Sequence, residues 1–510
     1  MKLSRLFAAA GIPCRLPDRE ITGVTSDSRC VYEGFIFVAV RGAQTDGGRF
    51  AADAVRRGAA VIVAETEPEG LQVGDTEVSV VIVPSAREAI ARLCSAWYFA
   101  DAVERGGRRP RIIAVTGTNG KTTVTHMITA ILSAAGYKTG LIGTVGCFLG
   151  GERIVAPDGM TTPAPENFYR IMYEMYCGGA EFIVFEASSH GIAQGRLAGL
   201  PLVGPLEAAV FTNLTPEHLD YHRDMEDYFH VKARLFTEFS PAVSVVNVDD
   251  QYGERIAAMC TGRLITTGVR DDTIAEWKAV EREFYGTGGV GYLLSSPDLT
   301  LRVFCPTPGG FTYINTLEAL ACAIAVGVDP AVAQEAIRVF YGVKGRIARV
   351  KTDATKFSGD VFIDYAHTPA ALEGLLRTVR AFTDTRHRIV LLFGCGGDRD
   401  KAKRPLMGEI ASRLSDYVII TSDNRRGEAA WRIIADIMSG YNVNTPHIII
   451  SDRETAIRYA IMEAKDGDVI LLAGKGHETY EDAGGIKRPF DEREVVFAAV
   501  NDRYRIMNGR

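Results

Sequence analysis

Two short stretches of this chain hold residue types whose spacing can do chemistry. The first is Gly117-Thr118-Asn119-Gly120-Lys121-Thr122-Thr123, between the apolar run "IIAV" and the helix-like "VTHMITAILSAAG". Gly117 and Gly120 let backbone N–H groups curl around phosphate oxygens, and a helix N-terminus adds partial positive charge. Lys121 is placed to reach the terminal phosphates of a nucleotide, and the Thr122 hydroxyl to meet Mg²⁺. The spacing is one residue shorter than the standard GxxxxGK[ST] loop, so this is a variant phosphate site. Its bland alternative is a structural turn with an incidental Lys.

The second stretch is "VIITSDNRRGE", Val418 to Glu428, an apolar run that stops at Asp423-Asn424-Arg425-Arg426. An acid, an amide and two guanidiniums at a strand tip suit a ligand with more than one charge. A solvated charged turn is the plain alternative. Two further strand tips follow the phosphate loop. "FEASSHG" places Glu186 there, and "FTNLTPEHLDYH" places His218. Alone, such a Glu is more often a solvated end and such a His a satisfied core residue. Together beside a phosphate loop they read as ligands for a hard divalent cation.

The elements that position these residues repeat one pattern. "RIIAVTG", "EFIVFEASS", "LEAAVFTNL" and "AVSVVNVDD", then "DVFIDYAHT", "HRIVLLFGCGG", "DYVIITSDN" and "DVILLAGKGHE", are apolar runs ending in polar residues or Gly, separated by helical stretches. Continuous apolar strands between helices predict parallel α/β sheets covered on both faces. Ligands then bind beyond the carboxyl ends of the strands. The 510 residues exceed one core and predict about three domains. "DAVERGGRRPR" (101–111) reads as a linker, and a second break falls near "YGVKGRIARVKTD" (341–353). The expected division is 1–105, 106–345 and 346–510.

Hydrophobic residues make up 47% and charged residues 24%, ordinary globular values that predict no long disordered part. A net charge of -6 argues against a general nucleic-acid binder, which needs a basic stripe. Nine cysteines without a CxxC pair read as reduced thiols. No run reaches 18 apolar residues, and the N-terminal apolar stretch is too short for a secretory core. A cytoplasmic protein without membrane insertion is expected.

Taken in order, "GTNGKTT", "FEASSHG", "FTNLTPEHLDYH", "YFHVKARLF", "DYAHTP", "GCGGDRDKAKRP" and "LLAGKGHETY", with "VTSDSRCVYEGFIFVAVRGAQTDGG" near the N-terminus, resemble the Mur ligase family over nearly the whole chain. The resemblance implies an N-terminal UDP-binding α/β domain, a central P-loop ATPase-like parallel α/β domain and a C-terminal Rossmann-like domain that takes an amino acid. It implies ATP-dependent amide formation in peptidoglycan precursor synthesis through an acyl phosphate. Among the family's members the motifs point to the one acting on UDP-N-acetylmuramoyl-L-alanyl-D-glutamate, with Mg²⁺ as cofactor and each chain working as a monomer.

The same resemblance assigns residues. Thr122, Glu186, His218 and Lys232 would hold metal, with Lys232 carbamylated to N6-carboxylysine. A surface Lys on an amphipathic helix is the bland reading of Lys232. Asn315, Arg346, Asp364 and His367 would join the phosphate loop in contacting ATP. Ser28, Thr161, Thr162, Ser188, Gln194 and Arg196 would hold the UDP-linked substrate. Arg399, Asp423, Asn424, Arg426, Gly474 and Glu478 would hold the amino acid. Three positions depart from the family's usual pattern: Met160 stands for Asn, Gly48 for His and Arg425 for Pro.

meso-Diaminopimelate carries a carboxylate and an ammonium at its far end, lysine only the ammonium. A guanidinium binds that carboxylate through two parallel hydrogen bonds and repels lysine's end, so Arg426 points to diaminopimelate. The competing readings are the same reaction with lysine or another diamine, folylpoly-γ-glutamate synthesis, an inactive paralogue that binds the UDP-muramoyl peptide, and a P-loop motor or kinase.

Overall fold

The computed structural model describes every residue except 43–45, 69–77, 156–159, 218, 220, 344, 477 and 510. The chain divides into two compact units. One comprises 1–280, 294–301 and 314–337; the other comprises 281–293, 302–313 and 338–510.

The first unit holds two sheets. Strands β1 (Gly23–Thr25), β2 (Phe35–Val38), β3 (Ala59–Ala64) and β4 (Ser79–Ile82) form a parallel sheet in chain order. The long helix Ala86–Glu104 packs against it and against the helix Pro165–Cys177. The Ser85 hydroxyl caps the long helix by accepting from the Glu88 amide. This helix corrects the linker expectation for 101–111, because Asp101 to Glu104 are its last turn. Those charges are not a solvated hinge: Arg5 pairs with both Asp101 and Glu104, each at 2.5 Å.

The larger sheet includes β5 (Arg111–Thr116), β6 (Thr139–Gly143), β7 (Gly146–Leu149), β8 (Glu152–Ile154), β9 (Phe182–Glu186), β10 (Leu206–Phe211), β11 (Val243–Asn247) and β12 (Arg263–Gly268). Their order is β12-β11-β10-β5-β9-β6-β7-β8. The pairs from β12 to β6 are parallel, as the apolar runs predict, while β7 and β8 add an antiparallel edge. Residues 112–116 are all buried because helices cover both faces. β5 lies between β10 and β9, so the phosphate loop, Glu186 and the "FTNL" turn emerge side by side. The next strands, β13 (Trp277–Phe284), β14 (Val290–Ser295) and β15 (Thr300–Cys305), and the helix Phe311–Ala325 carry the chain between the units.

The second unit is a six-stranded sheet in the order β16-β17-β21-β18-β19-β20, made by β16 (Ala348–Arg349), β17 (Asp360–Asp364), β18 (Ile389–Phe393), β19 (Tyr417–Ile420), β20 (His447–Ile449) and β21 (Val469–Ala473). Only the β16–β17 pair is antiparallel. β18 and β21 are buried at every position between helical layers on the two faces. A hairpin of β22 (Tyr480–Ala483) and β23 (Ile486–Pro489) follows β21.

Candidate active site

The phosphate loop is held by its neighbours as well as by its own glycines. Gly120 has φ +87° and stands as the N-cap of the helix Lys121–Ala134. Gly117 has φ +146°, and a Cβ there would lie 1.9 Å from Thr212 Oγ1, so no larger residue fits. The "FTN" turn after β10 laces the loop from the side. The Thr118 amide donates to the Asn213 carbonyl at 2.8 Å, the Asn119 amide to Asn213 Oδ1 at 3.0 Å, and Thr212 Oγ1 to the Asn119 carbonyl at 2.5 Å. Asn315 is buried and its Oδ1 packs against Gly120.

Lys121 Nζ donates to the carbonyls of Gly117 and Thr118, both at 2.8 Å. Lys232, on the helix Met225–Thr237, reaches the same Gly117 carbonyl at 2.8 Å. The sequence alternative for Lys232, a surface residue, is excluded: it is 1% exposed. Burial, then the nearby Lys121 charge, holds its amine well below the ordinary lysine range.

Glu186 is fully buried at the tip of β9. Oε2 accepts from the hydroxyls of Thr122 at 2.9 Å and Thr144 at 3.1 Å; Oε1 accepts from the Thr144 amide at 2.8 Å. Among the described residues no Lys, Arg or His pairs with it. A buried carboxylate held only by neutral donors leaves negative charge for a cation to balance. Among the described residues no group of three His, Cys, Asp or Glu is placed to hold a metal ion. His218 lies outside the described residues. The donor set of Thr122, Glu186 and Lys232, once the last carries a carboxylate, is hard oxygen throughout and fits Mg²⁺.

The cluster extends to the expected substrate residues. Thr144 Oγ1 meets Thr161 Oγ1 at 3.0 Å, Thr162 Oγ1 donates to the Glu186 carbonyl at 2.7 Å, and Ser188 Oγ lies 3.0 Å from Thr162 Oγ1. Arg196 Nη2 donates to Gln194 Oε1 at 2.6 Å, Nη1 donates to the Thr162 carbonyl, and Nη1 lies 3.3 Å from the Met160 sulfur. Ser28 is apart from this cluster, buried at the start of a short 3₁₀ turn capped by Asp27. Ser26 ties that region to the helix Pro165–Cys177, its amide and hydroxyl both donating to Glu166 Oε1.

In the second unit both Asp364 oxygens are taken by backbone amides, Ile347 and Ala366, each at 2.8 Å. Burial pushes its carboxyl up, opposed by those amides and by Arg346. His367 is exposed beside it, its Nδ1 2.9 Å from the Tyr365 carbonyl.

The loop after β19 is tightly built. Asp423 and Asn424 are buried, Arg426 is half-buried and Arg425 is exposed. Arg426 takes φ +46°, unusual for a residue with a side chain. The hairpin explains it: the Arg426 amide donates to the Asp482 carbonyl at 3.1 Å, and the Gly484 amide to the Arg426 carbonyl at 2.7 Å. Its Nη1 donates to the Gly397 carbonyl at 2.8 Å, reaching the "GCGGDRD" loop where Arg399 stands exposed. Glu428 fixes the two loops together. It accepts from the fully buried Arg404 at 2.8 Å and from the Asp398 amide at 2.6 Å, and Arg404 holds its carboxyl down at about 2. Gly474 has φ +116°, and a Cβ there would come within 2.6 Å of Asp423 Oδ2. Asn424 Nδ2 donates to Glu478 Oε2 at 2.7 Å.

Sequence reading missed Thr144, Thr212, Asn213 and Lys475. Thr212 and Asn213 stand inside the quoted "FTNLTPEHLDYH" and Lys475 inside "LLAGKGHETY", whereas Thr144 lies in no quoted motif.

Residues 20–98 match the Mur ligase family catalytic domain, 115–323 the Mur ligase middle domain, and 345–476 the Mur ligase glutamate ligase domain. The chain is 39% identical to the UDP-N-acetylmuramoyl-L-alanyl-D-glutamate–2,6-diaminopimelate ligase of Aquifex aeolicus, over 94% of this chain and 93% of that protein. It is 40% identical to the ligase of the same name from Geobacillus thermodenitrificans, over 95% and 96%. A solved structure of a ligase of that name is similar with a TM-score of 0.70 at 30% identity, covering 98% of this chain and 99% of the other.

Proposed function

The chain belongs to the Mur ligase family, and we infer from that membership that it is an ATP-dependent, ADP-forming ligase joining meso-2,6-diaminopimelate to UDP-N-acetylmuramoyl-L-alanyl-D-glutamate, a step of peptidoglycan precursor synthesis. The observation that carries the reading to residues is the convergence of Lys121, Lys232, Thr122 and Glu186 on one phosphate loop.

The free carboxylate of the D-glutamyl residue attacks the ATP γ-phosphorus. The bond to the β–γ bridging oxygen breaks, ADP leaves and an acyl phosphate forms. The incoming amine then attacks the acyl carbon. The tetrahedral intermediate expels phosphate, and the amine proton passes to solvent as the amide forms. Repulsion between the attacking carboxylate and the γ-phosphate is the first barrier, so the site must neutralise charge and fix geometry. Lys121 exchanges its two carbonyl contacts for phosphate oxygens, and the helix N-terminus after Gly120 adds backbone donors. Asn119 and Thr123 flank it. Thr122, Glu186, His218 and Lys232 would hold Mg²⁺, which supplies positive charge to the phosphates when bound. Lys232 suits carbamylation because a neutral amine is the form that adds CO₂: an N–C bond forms, a proton leaves and a carboxylate remains.

Asn315, Arg346, Asp364 and His367 complete the proposed ATP contacts. Ser28, Thr161, Thr162, Ser188, Gln194 and Arg196 hold the UDP-linked substrate. Arg399 holds the carboxylate beside the reacting amine. Arg426 and Asn424 take the far carboxylate, with Glu478 opposite the far ammonium, and Asp423 and Gly474 shape the pocket wall. The proposed domains are 1–105, 106–345 and 346–510, in a cytoplasmic monomer. No helix among the described residues is long and apolar enough to cross a membrane.

The test is phosphate release from ATP with the UDP-dipeptide, comparing meso-diaminopimelate with L-lysine in wild type and Arg426→Ala. Release with diaminopimelate alone, lost by about 10–100-fold in the variant, is expected for a charged bidentate contact. Release with lysine reassigns the amino acid, and release with neither moves the chain to an inactive binding paralogue.

A further inference from the structure

Lys475 has no role in the reaction as described, yet its side chain is fully buried between the β19 loop and the hairpin. Its Nζ donates to Asn424 Oδ1 at 3.0 Å and to the Tyr480 carbonyl at 2.7 Å. Two carboxylates flank it, Asp423 at 3.8 Å and Glu478 at 3.9 Å. The same Asn424 oxygen accepts a second bond from the Asp482 amide at 2.9 Å. An amide oxygen has two lone pairs, and both are used. The orientation of Asn424 is therefore dictated by its partners: two donors face the oxygen, and a carboxylate, Glu478 Oε2 at 2.7 Å, faces the nitrogen.

We infer that Lys475 is a positioning residue for amino-acid selection, holding the Asn424 amide so that only its NH₂ is presented to the ligand. The inference rests on the proposed role of the Asn424 loop. One N–H goes to Glu478. The other has no acceptor among the described residues and is available to a carboxylate. An amide turned the other way would set its oxygen against Glu478 and offer an acceptor, which suits a bare ammonium. Lys475 thus acts at one remove: it touches no ligand, but it makes the loop a carboxylate reader and disfavours a ligand that ends in an ammonium alone. Asp482 shares the task through its backbone, which a side-chain substitution does not remove. Lys475 is therefore the side chain through which the orientation can be tested.

The experiment measures steady-state phosphate release in wild type, Lys475→Met, Asn424→Ala and the double variant, with each of the three substrates varied in turn. Lys475→Met is expected to raise KM for meso-diaminopimelate about tenfold or more, to leave KM for ATP and the UDP-dipeptide within about threefold, and to raise the lysine-to-diaminopimelate ratio of kcat/KM. In the Asn424→Ala background the same substitution is expected to change KM for diaminopimelate by less than about twofold, because its effect passes through the missing amide. Equal effects in both backgrounds, or a parallel rise of all three KM values, would overturn the inference. Lys475→Arg covers the case in which Lys475→Met does not fold. It keeps a cationic donor for the Asn424 oxygen beside Asp423 and Glu478, so KM for diaminopimelate is expected to stay within about threefold of wild type, and a tenfold rise in that KM with the donor retained overturns the inference. Wild type that releases no phosphate with diaminopimelate would sink the functional reading itself, whereas active wild type with additive variants would sink only the role of Lys475.

Discussion

Replacing Gly143 with alanine tests whether Glu186 is placed by packing as closely as its chemistry demands. Gly143 ends β6 with an ordinary backbone, so alanine meets no conformational penalty. The space is the obstacle. A Cβ at 143 would lie 2.2 Å from Glu186 Oε1, 2.9 Å from Cδ and 3.0 Å from Cγ. Restoring normal contact requires the carboxylate to retreat by roughly 1 Å. That movement stretches the 2.8 Å bond from the Thr144 amide and disturbs the 2.9 Å bond from Thr122. A displacement of this size at a group proposed to hold the metal is expected to cost about 10²-fold in rate. A weakened hydrogen bond to a buried carboxylate costs about 1–3 kcal/mol of stability. Gly143→Ala is therefore expected to remain folded with a lowered thermal midpoint, to lose about 10²-fold in kcat for phosphate release, and to need more Mg²⁺ for half-maximal rate. A kcat within about threefold of wild type, with an unchanged Mg²⁺ requirement, would refute the idea that this glycine sets the position of Glu186.

Two further outcomes follow from buried ionisable groups. Glu318 is fully buried on the helix Phe311–Ala325, neither carboxyl oxygen has a partner among the described residues, and burial, with Asp249 nearby, pushes its carboxyl well above the usual range. The folded protein binds that proton more tightly than the unfolded chain, so stability is complete below the ordinary carboxyl range and declines as pH rises through the folded value; Glu318→Gln is expected to be about 1–3 kcal/mol more stable than wild type at pH 8, with the gain vanishing near pH 4, and a gain independent of pH in denaturant titrations would contradict this. With ¹³C-labelled bicarbonate, wild type is expected to show a carbamate carbon resonance that Lys232→Ala lacks, together with at least a 10²-fold loss of phosphate release in that variant; a resonance that survives the substitution would place the modification elsewhere.

The parts legible in the sequence are those that local pattern determines. The α/β strands were readable because each is a continuous apolar run, and the phosphate loop because Gly117, Gly120 and Lys121 lie within five residues. The antiparallel edge formed by β7 and β8 carries no comparable run and was not foreseen. Asp101 to Glu104 looked like a solvated linker because their partner, Arg5, is about a hundred residues away. Thr144 reaches Glu186 across 42 residues, and Lys475 reaches Asn424 across 51. No local spacing announces such a contact. Glu318 gives no local sign of its burial: it is the one acid of the helix Phe311–Ala325, yet it lies in the stretch 315–323 that is buried at every position.

Lys232 and Lys475 show what sequence could not separate. Each stands inside a quoted motif, each is buried, and burial lowers the basicity of both amines. Their surroundings then divide them. Lys232 has a carbonyl, the face of Tyr228 at 4.7 Å and the repelling charge of Lys121. The ring and the Glu217 charge offset only part of the desolvation and the Lys121 repulsion, so the amine is less basic than an ordinary lysine and its neutral, nucleophilic form is easier to reach. Lys475 has Asp423 and Glu478 within 4 Å, which draw its basicity back up and favour the ammonium, a donor with no lone pair to give. One buried lysine thereby suits its proposed conversion into a ligand, and the other its proposed role as a fixed cation that orients an amide. The difference lies in the sign of charge brought within a few ångströms by distant segments, which is why the fold, and not the motif, decides what each lysine does.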